Sequence, residues 1–175
     1  MSNIATVTTP CGTIEGFPGE EGVYTFLNIP FAKAGRWQAP KAIPPFSGVL
    51  EAKAYGPAPI QAEPDPFFAK RNGDFLDVPT SEDCLNLNIW AADLKTPKKA
   101  VLFWVYGGSY IMGYNYKRLN LPEKLVKVHP DLLVVAPNYR VGVLGSLNLS
   151  SVDPDGAYRF SNNLALLDLI AALRW

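Results

Sequence analysis

The chain has 175 residues, a length at which one domain can bury roughly 70% of the surface its unfolded chain exposes. Its 16 basic and 16 acidic side chains balance to zero net charge and neither sign is gathered into a block, which excludes a nucleic-acid track and a polybasic membrane patch. Hydrophobic residues make up 48% of it, too many for a disordered chain, yet no apolar run approaches the roughly 20 residues that span a bilayer.

The N-terminal segment MSNIATVTTPCGT lacks a basic region followed by an apolar stretch, so no secretory signal is read and the cytoplasm is the simplest compartment. ATVTT, GTIEG and VYTFL are short β-rich pieces separated by Pro10-Cys11-Gly12 and by the turn-rich GFPGEEG, a pattern that predicts an antiparallel meander. From Pro30 to Thr80, the prolines at 40, 44, 45, 57, 59, 64 and 66 stand too close for a long helix. A long covering loop is expected there, with a helical turn at residues 66 to 71. Three apolar strands follow: CLNLNIW (84 to 90), AVLFWVY (100 to 106) and LLVVAPNY (132 to 139). The second and third are continuously apolar, as in strands buried on both faces of a parallel sheet. Between them, Leu119, Leu121, Leu125 and Val128 stand near helical spacing with Pro122 and Glu123 in the first turn, which predicts a crossover helix over 116 to 128. In NNLALLDLIAALRW, Leu164, Leu166, Leu167, Ile170, Leu173 and Trp175 mark the expected inner face of an amphipathic helix. Alternation of strand and helix makes the class α/β, one domain over 1 to 175.

Cys11 and Cys84 are isolated, so neither a disulfide framework nor a CxxC metal site is expected, and no residue pattern calls for a cofactor. Asn148-Leu149-Ser150 fits the glycosylation pattern but, without a secretory route, reads as an ordinary turn.

The stretch FWVYGGSYIMG (103 to 113) exposes bare backbone directly behind an apolar strand. Gly108 and Gly113 have the gap of a phosphate loop, but Tyr114 and Asn115 stand where its lysine and hydroxyl residue belong. The glycines do not follow GxGxxG either. Two readings stay open: a structural turn with no ligand, and a pair of amide N–H groups aimed at a developing oxyanion, as in ester hydrolysis on α/β folds.

Six segments resemble the type B carboxylesterase family of α/β-hydrolases, which includes the cholinesterases and non-catalytic adhesion relatives. They are GTIEG (12 to 16), FLNIPFAKAGRWQAP (26 to 40), SEDCLNLNIW (81 to 90), YGGSYIMG (106 to 113), NYRVGVLG (138 to 145) and NLALLDLIAALRW (163 to 175), in family order along nearly the whole chain. The resemblance implies the N-terminal part of an α/β-hydrolase fold: a small antiparallel meander, then a mixed, mostly parallel central sheet with crossover helices. It implies a serine hydrolase acting on a small-molecule carboxylic ester, with Gly107, Gly108 and Ser109 as the oxyanion motif and the N–H groups of Gly108 and Ser109 as donors. Tyr106 stands where many members have histidine, and Ser109 where many have a third glycine. The family pairs the residues matching Arg36 with Glu82 and Arg140 with Asp168, as structural salt bridges. On the residues alone, a solvent-exposed arrangement of either pair stands beside that one. Asn28, Ser146 and Leu169 depart from the family pattern. Secreted relatives bridge the cysteine matching Cys84 to one just upstream, which this sequence lacks, so a reduced, buried thiol is expected.

No serine is flanked by glycines at minus two and plus two, and the family order of serine, acid and histidine would place all three beyond Trp175. The only histidine, His129, precedes its strand while the glycine loop follows one, so in a parallel sheet they stand at opposite strand ends, roughly 15 to 20 Å apart. The chain alone is therefore expected to be inactive and to self-associate through an exposed sheet edge. A non-catalytic, cholinesterase-like binding protein and a non-functional truncated gene product are the alternatives.

Overall fold

The computed structural model describes residues 4–19, 22–62, 78–116 and 122–175, and the meander opens it. β1 (Ala5–Thr9) and β2 (Gly12–Pro18) pair antiparallel, and β2 pairs antiparallel with β3 (Tyr24–Pro30). The proline-rich stretch does more than cover. It contains β4 (Ala32–Lys33), β5 (Lys41–Ala42), β6 (Val49–Glu51), β7 (Ala58–Pro59) and, at its end, β8 (Thr80–Ser81). Proline removes one donor at a time, so two- and three-residue pairings survive between prolines, and β6 even joins β2 in parallel. The helical turn expected at 66 to 71 lies outside the described residues.

β9 (Asn86–Ala91) runs antiparallel to both β3 and β11 (Leu132–Pro137), and β10 (Ala100–Phe103) pairs parallel with β11. The strand order β1-β2-β3-β9-β11-β10, with β6 on β2, makes one mixed sheet. A parallel pair needs a crossover, and α1 (Glu123–Val128) is its described helix, with Pro122 as N-cap and Glu123 in the first turn; Tyr116, the expected start of the helix, lies in a turn. Residues 117 to 121 lie outside the described residues.

Successive strand residues point to opposite faces, and the sheet uses both. Phe26, Ile29 and Leu87 pack on one side, where Ala172 of α3 (Leu164–Arg174) reaches them. Leu27, Trp90 and Val134 pack on the other with Val126 of α1. A short α2 (Gly142–Ser146) follows β11. No helix among the described residues is long and apolar enough to cross a membrane.

Two expectations are corrected. The strand expected over 100 to 106 ends at Phe103 and is not buried on both faces: Val101 is 59% and Leu102 39% exposed, because β10 is the sheet's edge and pairs with β11 alone among the described residues. The inner face of α3 is not the leucine stripe either. Leu164, Ala165, Asp168, Leu169 and Ala172 are buried, whereas Leu166 and Leu173 are exposed. A buried ion pair at Asp168 sets the helix rotation, and it brings a charged position inward at the expense of two leucines.

Candidate active site

Trp104 donates its N–H to Val135 O at 2.8 Å, and beyond it the chain leaves the sheet. Tyr106 is buried, with its ring stacked on that of Tyr139 at a centroid distance of 4.3 Å and an interplanar angle of 13°. The two phenols bond crosswise. Tyr106 Oη donates to the Tyr139 carbonyl at 2.8 Å, and Tyr139 Oη donates to the Tyr106 carbonyl at 2.7 Å. Burial pushes the Tyr139 phenol up to about 12 and the Tyr106 phenol well above its ordinary value, so both remain protonated donors at neutral pH.

Gly107 and Ser109 are exposed and Gly108 half-buried. Gly108 has φ +141°, and Ser109 and Tyr110 follow in the left-handed region at +55° and +59°. Only glycine fits at 108, since a Cβ there would lie 1.9 Å from the Met112 carbonyl oxygen. Gly113, at φ +127°, is equally constrained because a Cβ would meet the Tyr106 ring at 2.5 Å. Each left-handed non-glycine residue costs about 1 to 2 kcal/mol and persists where the surroundings over-determine it. Several bonds do so. Ile111 and Met112 donate to Gly108 O at 2.9 and 3.2 Å, and Gly142 N donates to Tyr110 O at 2.6 Å. Gln61 clasps Gly113, accepting its N–H at 2.7 Å and donating Nε2 to its carbonyl at 3.0 Å. The N–H groups of Gly107, Gly108 and Ser109 have no acceptor among the described residues. Three successive amide donors thus have no internal partner among the described residues and are open to an acceptor from outside them.

Behind the loop, Asn86, Asn88, Asn115 and Asn138 are all buried. Asn115 N donates to Asn138 Oδ1 at 2.9 Å, Asn115 Nδ2 to Ala136 O at 3.0 Å, and Asn138 Nδ2 to Pro57 O at 3.1 Å. These bonds tie the end of the loop to β11 and to the segment before β7. Tyr139, Gln61, Gly142 and the asparagines escaped the sequence reading. Uncharged amides recurring beside apolar strands at 86, 115 and 138 were the signal available.

The two predicted ion pairs form in different surroundings. Arg140 reaches Asp168 with Nε at 2.8 Å, Nη2 at 2.7 Å and its backbone N–H at 3.0 Å, and Asp168 is fully buried. Burial raises the Asp168 carboxyl, and the three Arg140 donors oppose that rise. Arg36 Nε donates to both Glu82 oxygens at 2.9 and 3.0 Å, but this pair is open to solvent, with side chains 59% and 33% exposed. Arg36, Glu82 and Arg140 border a cavity of about 10 Å³, room for about one water and none for an ester. Cys84 lines it too and is a buried, free thiol. His129 is exposed at the end of α1, and among the described residues no group of three or more His, Cys, Asp or Glu side chains is placed to hold a metal.

Residues 3–175 match the profile of the carboxylesterase family. The chain belongs to the carboxylesterase family. It is 36% identical to the para-nitrobenzyl esterase of Bacillus subtilis strain 168 over 97% of this chain and 33% of that protein. It is 34% identical to an acetylcholinesterase of Leptinotarsa decemlineata over 97% of this chain and 30% of the relative. Among solved structures, an esterase of the anaerobe Clostridium hathewayi that can hydrolyse aliphatic aromatic polyesters superposes with a TM-score of 0.84 at 35% identity, covering 99% of this chain and 34% of that one. This carboxylesterase-family chain thus spans about a third of the length of the relatives it matches, and its mixed sheet is the N-terminal part of an α/β-hydrolase fold.

Proposed function

We propose that the chain supplies the oxyanion-stabilising loop of a serine-type carboxylic ester hydrolase. The observation that carries this reading is the run of three amide donors at Gly107, Gly108 and Ser109, with no acceptor among the described residues, at the carboxyl end of β10. Attack of a serine oxygen on the ester carbonyl places negative charge on the carbonyl oxygen. The N–H groups of Gly108 and Ser109 stabilise that charge, while a histidine base takes the serine proton and returns it to the leaving alkoxide. Exposed Tyr110, Ile111 and Met112 beside the donors suit a small ester with apolar substituents. The nucleophile, acid and base are proposed to lie outside these 175 residues, since no serine in them has the GxSxG setting.

The test is nitrophenyl ester hydrolysis by the protein at its full encoded length and by the 175 residues alone. The long form is expected to turn over and the short form not. Gly108→Ala in the long form keeps the N–H but sets a Cβ against the Met112 carbonyl, and the displaced donors are expected to lower kcat roughly 10²- to 10³-fold. Serine-dependent turnover by the 175 residues alone, or an unchanged kcat in Gly108→Ala, contradicts the proposal.

A further inference from the structure

We propose that Tyr139 is a positioning residue for the amide donors of the glycine loop, acting through the carbonyl of Tyr106; this rests on the oxyanion reading above. A trans peptide is planar, so its carbonyl and N–H point in opposite directions and holding one aims the other. Tyr139 Oη holds the Tyr106 carbonyl at 2.7 Å and thereby aims the Gly107 N–H. Within the loop, Ile111 N at 2.9 Å and Met112 N at 3.2 Å hold the Gly108 carbonyl and aim the Ser109 N–H. Gly142 N at 2.6 Å holds the Tyr110 carbonyl and closes the far end. Alternate peptide planes of the loop are therefore pinned, and the planes between them have little freedom left.

Two of the three pins come from one short segment after β11. Tyr139 grips the start of the loop, Gly142 its end, and Arg140 between them is anchored on buried Asp168 of α3. The left-handed Ser109 and Tyr110 are the strained residues that this grip holds, and release at Tyr106 lets the donors turn away.

The crosswise pair is not symmetric in function. Tyr106 Oη bonds the Tyr139 carbonyl at 2.8 Å and receives the Tyr139 N–H at 3.3 Å, so it stabilises the segment after β11 and touches no peptide of the loop. Removing either hydroxyl leaves the ring itself in place to stack, so the Phe variants are expected to separate hydrogen bonding from packing.

The experiment uses the full-length protein with a nitrophenyl ester and a trifluoromethyl ketone that mimics the tetrahedral intermediate, in wild type, Tyr139→Phe and Tyr106→Phe. Tyr139→Phe is expected to lower kcat about 10- to 100-fold with KM within about twofold, and to weaken ketone binding by the same factor. Tyr106→Phe is expected to lower the melting temperature, as loss of its bonds to the Tyr139 backbone does. Tyr139→Phe with unchanged kcat and ketone affinity overturns the positioning role while leaving the oxyanion reading intact. A wild type without ester turnover overturns both. Should Tyr139→Phe not fold, Tyr139→Leu, which also lacks the hydroxyl, decides: kcat and ketone affinity lowered together support the role, and unchanged values overturn it.

Discussion

Cys84 shows how burial settles a side chain's chemistry. It is fully buried among Phe31, Leu85 and Leu87, and burial pushes its thiol up to about 12. Thiolate is the reactive form, so at pH 8 this cysteine is nearly inert. Iodoacetamide is expected to leave Cys84 unmodified in the folded protein and to alkylate it fully in denaturant, with peptide mass spectrometry as the readout. Rapid labelling in the native state contradicts this account. The same burial acts differently on Tyr106 and Tyr139, where raised phenol pKa values keep two donors protonated and suited to holding backbone carbonyls. Ser109 and Tyr110 carry the opposite kind of information: their left-handed backbone is strain that the bonds around the loop must hold in place.

The helix α3 is where apolar pattern and actual packing part. Its leucines at 166 and 173 look like core by spacing, yet they face outward, while Leu169 packs against Tyr106, Tyr139 and Val141. Leu169→Ala is expected to cost about 2 to 5 kcal/mol, the range for a buried leucine, and Leu173→Ala less than about 0.5 kcal/mol. Urea unfolding of the two variants checks the assignment, and equal losses contradict it. The reason for the rotation is electrostatic. Turning Leu166 inward would carry Asp168 away from Arg140 and leave a buried guanidinium uncompensated.

The described residues pack on both faces of one sheet but leave apolar surface at its β10 edge and on α3: Val101 and Leu102 on the strand, Leu166 and Leu173 on the helix. An unpaired edge beside apolar side chains is a template for association. The 175 residues produced alone are expected to form concentration-dependent oligomers in light scattering and to bind a hydrophobic dye. A monomer that melts cooperatively and binds no dye contradicts this. The chain spans about a third of its relatives' length, and no serine in it has the GxSxG setting.

By itself the sequence determined what depends on neighbours along the chain. The meander, the apolar strands, Pro122 opening α1 and the glycine turn all follow from local sterics and periodicity, and the family was legible in SEDCLNLNIW and YGGSYIMG. Tertiary structure alone decided what depends on partners distant in sequence. It made β10 an edge, rotated α3 about the Arg140–Asp168 pair, and brought Tyr139 to Tyr106 and Gln61 to Gly113. Apolar spacing records how often a position is buried, whereas a buried ion pair or a crosswise hydrogen bond has one geometry and overrides that spacing where the two conflict.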